Sequence, residues 1–407
     1  MNAKRKLLRW TLRIVLIVLA ILFAATIALW FWAQPATPDD FYSSSDPAPN
    51  DPGKIVKWEA FARDVPSDAR AWRILYSTTD ANAKPILASA IVVASQKPAN
   101  GPRPIIAWNH GTTGFSPGCA PSVLAPPQPL GPVPSLEAIL NEGWVLVATD
   151  YAGLGTSSPH PYLIGEGEAR STLDGIRAAR EFPDLKLDNK VVIWGHSQGG
   201  HATLWSGLLA PSYAPELNIA GVAALAPASD VPSLVDKAKD TPVGKIIVSF
   251  LMNAYSQTYP DVKYDDYVSG WRRTFVKDMG TRCLDGKETL FSVAEVVTVL
   301  RGPVFDQDPS IGPLRARLTE NIPNRPIASP ILIAQGRTDE LVLPEIQEKY
   351  VDERCSSGQV IEYQTYEGRD HMQVVAPESP LQANLVQWTR DRIAGSPTPS
   401  ECIKKDF

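Results

Sequence analysis

Five basic residues, Lys4, Arg5, Lys6, Arg9 and Arg13, precede an uncharged apolar run from Ile14 to Ala33. At ~1.5 Å per residue this run, as a helix, is long enough to cross a hydrocarbon core of ~30 Å. It exceeds the ~7–15-residue core of a signal peptide, and Trp30, Phe31 and Trp32 stand where cleavage requires small residues. An uncleaved signal-anchor is therefore expected over residues 1–33, with secretion after signal cleavage as the alternative. The flanking positive charge keeps the N-terminus cytoplasmic and places everything after Gln34 across the membrane, in a periplasmic or extracellular compartment. Residues 34–53, dominated by Pro, Ser and Asp, read as a solvated stalk.

Beyond the stalk, short apolar runs bounded by turn residues alternate with stretches of helical spacing. The runs predict strands at Ile74 to Tyr76, Ala88 to Val93, Ile105 to Trp108, Val145 to Thr149, Val191 to Trp194, Ile219 to Leu225, Ile331 to Ala334 and Val360 to Tyr363. Helical spacing is clearest in Ala169 to Phe182 and His201 to Leu209. This is the rhythm of an α/β protein, a mostly parallel sheet with helices on both faces. Residues 230–323 break it, with no obvious strand run but with helical stretches such as Val243 to Tyr255. They read as a cap inserted between a first core part, 54–229, and a second, 324–407.

Composition narrows the picture. With 407 residues and 44% apolar content the chain can bury one large core. Its 37 prolines cluster in connections, at 35–52 and 121–134. A net charge of −5, with no long basic run past the N-terminus, leaves no footprint for nucleic acid. There is no G-x-x-x-x-G-K or H-E-x-x-H pattern, so neither cofactor nor metal is expected. Cys119, Cys283, Cys355 and Cys402 are too widely spaced for a CxxC redox or zinc motif. In an oxidising compartment they allow two disulfides in any of three pairings; in a cytosolic domain they would be buried thiols.

The chemistry starts where Val191-Val192-Ile193-Trp194 runs into Gly195-His196-Ser197-Gln198-Gly199-Gly200 and then into the helical His201 to Leu209. A G-x-S-x-G between a strand and a helix is the nucleophile elbow, where a serine sits on a strained turn and its near neighbours must be small. A glycine-rich turn is the plainer alternative. A serine hydroxyl needs a base, and the chain holds five histidines. His196 and His201 flank the serine too closely in sequence to reach its Oγ, and His110 and His160 precede it. His371 follows the strand Val360 to Tyr363, in the order nucleophile, acid, histidine that this fold uses. The acid should follow the strand Ile331 to Ala334, which selects Asp339 ahead of Glu340, Asp370 and Asp230. Two backbone donors would hold an oxyanion: that of Gln198, after the nucleophile, and one from the loop His110-Gly111-Thr112-Thr113-Gly114, with Thr112 and Thr113 both open. Asp150 to Ser157 reads as a demanding turn on the same side of the sheet.

Several stretches resemble the secretory lipase family of α/β-hydrolases, the family of Candida antarctica lipase A. They are Thr172 to Ala178, Gly199 to Trp205, Ser212 to Ile219 and Cys119-Ala120-Pro121-Ser122, within a likeness spanning about Trp58 to Cys402. The resemblance implies hydrolysis or transfer of carboxylic esters by Ser197, Asp339 and His371, a helical cap after the sixth core strand, and disulfides Cys119–Cys283 and Cys355–Cys402. It puts the second oxyanion residue near Thr113, although His110-Gly111 departs from the family pattern. The membrane run departs from a freely secreted enzyme.

The expectation is a serine carboxylic-ester hydrolase, a lipase or esterase with possible acyltransfer, that takes a small-molecule ester or lipid and touches a membrane through its N-terminal helix. A serine peptidase of the same fold and a catalytically silent binding protein are the alternatives.

Overall fold

A computed structural model describes residues 2–99, 101–182 and 185–407, with the side chains of residues 2–4, Lys4 included, outside the description. Among the described residues ten strands form one sheet: β1 (Ile55–Phe61), β2 (Ala69–Thr79), β3 (Pro85–Ser95), β4 (Arg103–Asn109), β5 (Val145–Thr149), β6 (Leu187–His196), β7 (Asn218–Leu225), β8 (Ile331–Gly336), β9 (Ile361–Tyr366) and β10 (Ile403–Asp406). Their order is β1-β2-β3-β5-β4-β6-β7-β8-β9-β10. The seven strands from β5 to β10 run parallel, while β3, β2 and β1 continue the sheet by antiparallel pairing. The chain is an α/β protein with a mostly parallel sheet.

The eight strands expected from apolar runs are the ones with a buried, continuous core. Val145–Thr149 is buried at every position because helices cover both faces of the sheet. On one face lie α3 (Gly165–Arg180), α4 (Gln198–Tyr213) and α11 (Pro344–Ser356), contributing Leu173, Leu204 and Val351. On the other lie α2 (Leu136–Asn141) and α12 (Leu381–Ala394), contributing Ile139 and Leu385. The buried Trp194 indole ties α12 to β6 through Thr389 Oγ1 at 3.0 Å. The two strands without an apolar signature, β1 and β10, are the sheet edges; their side chains are largely half-buried or exposed, so burial wrote no continuous run into them.

Between β7 and β8 the chain forms α5 (Val231–Ala238), α6 (Pro242–Thr258), α7 (Tyr264–Tyr267), α8 (Gly270–Met279), α9 (Gly286–Thr298) and α10 (Gly312–Glu320). These share a core of their own, with Phe250, Leu251, Val276, Leu314 and Leu318, that continues onto Tyr162 and Leu163 beside the sheet. Only α6 had a clear signature in sequence. The disulfide Cys119–Cys283 ties this helical region to the loop after β4, and Cys355–Cys402 ties α11 to the segment before β10.

At the N-terminus, α1 (Asn2–Trp32) is a single helix whose apolar side chains are exposed from Leu7 to Trp32. The following segment corrects the expectation of a solvated stalk. Phe41 and Tyr42 are buried against Leu75, and Tyr42 OH bonds Ser122 Oγ at 2.7 Å. Asp39 caps the turn at Phe41 and pairs with Arg73 at 2.7 Å. Two aromatics in an otherwise polar stretch are enough to dock it, because each removes a large apolar area from water.

Candidate active site

The parallel strands end on one edge of the sheet, and the turns beyond them converge there. Strand β6 finishes at His196 and α4 begins at Gln198, leaving Ser197 alone on the turn with φ 59° and ψ −119°. A non-glycine residue there is strained by ~1–3 kcal/mol, held by its surroundings. Ser197 N–H donates to the Leu225 carbonyl at 2.9 Å, and the Ser197 carbonyl accepts from His201 and Ala228 N–H. The flanking glycines answer to space. A Cβ at Gly195 would lie 2.1 Å from the Gly199 carbonyl oxygen, and one at Gly199 would lie 1.9 Å from that of Asn109.

His371, in the turn after β9, approaches Ser197 Oγ with Nε2 at 2.9 Å. Its Nδ1 lies 2.8 Å from Asp339 Oδ2, in the turn after β8. Asp339 Oδ1 accepts from the backbone N–H of Leu341 (2.9 Å) and Val342 (2.8 Å), and Oδ2 also accepts from Gln335 Nε2 at 3.0 Å. Burial pushes the Asp339 carboxyl up, but the His371 hydrogen bond and charge with the two backbone donors outweigh it and hold the group below the usual carboxylate range. Two of the passed-over carboxylates do other work: Asp230 caps α5 through Ser233 N–H, and Asp370 accepts from Met372 and Gln373 N–H, while Glu340 is exposed.

The other histidines are spoken for. His196 Nε2 donates to the His371 carbonyl at 2.8 Å, so the residue that flanks the serine supports the histidine loop. Burial first, then the neighbouring His371, lowers His196 to about 3. His160 is likewise lowered to about 3 by burial; its Nδ1 bonds the Ala152 carbonyl and its Nε2 faces Gln198 Nε2 at 3.2 Å. His201 is clamped between Glu168 Oε2 (3.0 Å) and the Asn321 carbonyl (2.8 Å). His110 packs on Tyr151 and bonds the Gly111 carbonyl.

Gln198 starts α4, so its N–H is one of the unpaired donors of a helix N-terminus. Its side chain is fixed by Nε2 donating to Glu168 Oε1 at 2.8 Å, a partner that sequence reasoning missed because Glu168 lies on a different helix with no motif around it. Across the site, Gly111 sits against Ser197: a Cβ there would lie 3.6 Å from that of the serine. Thr112 Oγ1 bonds Tyr162 OH at 2.8 Å, whereas Thr113 carbonyl accepts from Leu284 N–H at 2.7 Å and its buried hydroxyl has no partner among the described residues. Behind them the turn 150–157 takes positive φ at Tyr151, Gly153 and Gly155, and Asp150 is bonded by Ser89 and Ser122 hydroxyls.

Ser197, Gln198, His371, Thr112 and Thr113 open into one cavity of about 570 Å³. Apolar side chains from the helical region (Leu234, Val243, Ile247, Leu284) line one side, and Ile91, Trp108, Pro129 and Val375 line the other. The arrangement offers a hydroxyl, an imidazole aligned with it, a carboxylate bonded to that imidazole and the first turn of α4 beside them, in a largely apolar pocket.

A family model described as secretory lipase matches residues 133–401 of this chain. A secreted triacylglycerol lipase of Malassezia globosa is 27% identical over 82% of this chain and 74% of its own length. Lipase A of Moesziomyces aphidis is 32% identical over 45% of this chain, a stretch that spans 41% of that relative. Among solved structures, Candida antarctica lipase A in its closed state superposes with a TM-score of 0.74 at 22% identity, covering 91% of this chain and 90% of that one. At that identity the likeness speaks for the fold.

Proposed function

The chain belongs to the secretory lipase family, and from that premise we propose that it hydrolyses carboxylic esters by two-step acyl transfer through Ser197, His371 and Asp339. The observation that carries this reading is the aligned chain of hydrogen bonds, 2.9 Å from Ser197 Oγ to His371 Nε2 and 2.8 Å from His371 Nδ1 to Asp339. His371 takes the Oγ proton as the oxygen attacks the ester carbonyl; Asp339 keeps the ring oriented and stabilises its charged form. The oxyanion is held by Gln198 N–H and by a donor of the loop at Thr112 or Thr113. His371 then returns the proton to the leaving alcohol, and water, deprotonated by the same ring, releases the acid and restores Ser197.

An apolar cavity of this size suits a lipid acyl chain, and the helices between β7 and β8 act as its cap. Two disulfides suit a compartment outside the cytoplasm, and α1 serves as the membrane anchor that delivers the catalytic part there. A fluorophosphonate probe tests the nucleophile directly. It should label Ser197, identified by peptide mass, and label nothing once the protein is denatured; labelling at another serine would overturn the assignment.

A further inference from the structure

The C-terminal end of α1 does not stop in solvent. The Trp30 indole donates to the Asp278 carboxylate of α8 at 2.9 Å. The Lys287 ammonium, in the first turn of α9, donates to the Trp32 carbonyl at 2.6 Å and lies 5.4 Å from the centre of the Trp32 ring. Ala33 is fully buried, and Gly118 leaves no room for a side chain beside Pro35 and Ala36. The apolar helix is thus seated on the catalytic part with no slack chain between them.

From these two contacts apolar stripes run along both helices. On α8, Trp271 stands seven residues before Asp278 and so on the same side at 3.6 residues per turn, with the Phe275 ring edge-on to it. On α9, Lys287, Leu290, Ala294 and Val297 share one exposed face. Trp271 is 57% exposed, Leu290 69% and Val297 49%. Single exposed apolar residues are ordinary on a soluble surface. Here they form two stripes that start at the seats of Trp30 and Trp32, the residue type that marks a membrane–water boundary at the end of a span. Asp285, at the start of α9, accepts from Gln128 at 3.2 Å, and Gln128 and Leu284 line the cavity that holds Ser197.

We propose that the exposed faces of α8 and α9 rest on the bilayer that holds α1, turning the Gln128–Leu284 side of the cavity toward it, so that the ester substrate is a lipid resident in that bilayer. The proposal rests on two readings above, α1 as a retained span and Ser197 as the nucleophile of an ester hydrolase. Apolar side chains entering the headgroup boundary add binding in proportion to the area they bury, and a span fixed to the same helices keeps them at that depth. The occupant of the stripes is the bilayer because they are continuous with the end of the span.

All four cysteines are in disulfides, so single labelled cysteines can be introduced. Full-length L290C carrying nitrobenzoxadiazole, reconstituted in phosphatidylcholine vesicles, should be quenched by doxyl-labelled phosphatidylcholine, whereas the same label at exposed Lys349 on α11 (K349C) should not. Equal quenching at both sites overturns the proposal, as does a shielded but unquenched label at 290 accompanied by crosslinked dimers, which would assign the stripes to a second copy. The triple variant W271S/L290S/V297S should keep its turnover of a soluble butyrate ester and lose severalfold on a long-chain ester dissolved in the vesicles. No loss, or equal loss on both esters, overturns the proposal. A wild-type protein inactive on both esters overturns the hydrolase reading and the lipid substrate with it, while quenching at 290 still decides the membrane contact.

Discussion

The imidazole of His196 donates through Nε2 to the backbone carbonyl of His371 at 2.8 Å, and the two rings lie 4.7 Å apart. The residue between the elbow glycine and Ser197 therefore sets the height of the loop that brings His371 to the serine. It also has a consequence for acid stability. In the folded chain His196 stays neutral down to about 3, whereas an unfolded histidine takes a proton below ~6.5. Between those values the unfolded state binds more protons, so the contribution of His196 to stability falls as pH falls, and above ~6.5 it does not change. The stability of wild type minus that of H196Q should shrink by about 2 kcal/mol between pH 6.5 and 5. Denaturant titrations of both proteins across that range measure it; a constant difference would show that His196 takes up its proton as readily in the fold as in the unfolded chain.

Replacing Ser197 separates chemistry from strain. Ser197→Ala should reduce turnover of a short nitrophenyl ester by about 10⁴-fold or more. Ser197→Gly should be equally inactive and yet melt higher, because φ 59° with ψ −119° suits a residue without a Cβ; relief of ~1–3 kcal/mol outweighs the ~0.4–1 kcal/mol gained by the unfolded chain. A glycine variant that melts lower than the alanine variant would contradict a strained elbow.

Asp339 is bonded by four donors, so Asp339→Asn keeps the shape but cannot accept from His371 as the carboxylate does, and its amide favours the wrong tautomer. The expected result is a fall in kcat of about 10⁴-fold with little change in KM. A small loss would move the orienting role to another acceptor. Because the carboxyl is held below its ordinary range, the stability it contributes in the wild type is present above ~3.9 and is lost as pH falls through its lowered value.

The two disulfides should differ in what their loss does. Cys283 is bridged to Gly114, and the next residue, Leu284, donates to the Thr113 carbonyl, so the Cys119–Cys283 link braces the loop opposite Ser197. C119A/C283A should lose about 2–4 kcal/mol of stability and also lower kcat on a soluble ester. C355A/C402A, away from the cavity, should lose stability with kcat unchanged at a temperature where both remain folded. Equal kcat for the two double variants would remove the brace from the mechanism.

The fold class, the eight inner strands and the elbow were legible along the chain because each is written locally. A strand buried on both faces must be apolar throughout, as in Val145–Thr149, and a serine squeezed between β6 and α4 admits only glycine at 195 and 199. That Ser197, Asp339 and His371 each stand in a turn past a strand was legible as well. What the chain could not disclose is set by neighbours far away in sequence. Edge strands β1 and β10 carry no apolar run because one side of each has no partner strand. The docking of residues 34–53 depended on Phe41 and Tyr42 meeting Leu75 and Ser122, and the grip on Gln198 on a glutamate 30 residues away on another helix. The hydrogen bonds of the site span 174 residues between Ser197 and His371 and 32 between Asp339 and His371. Sequence determined which turns would carry these groups; only the strand order of the sheet, which stacks β6, β7, β8 and β9 side by side, brought those turns to one edge, because hydrogen bonding between strands is indifferent to their distance along the chain.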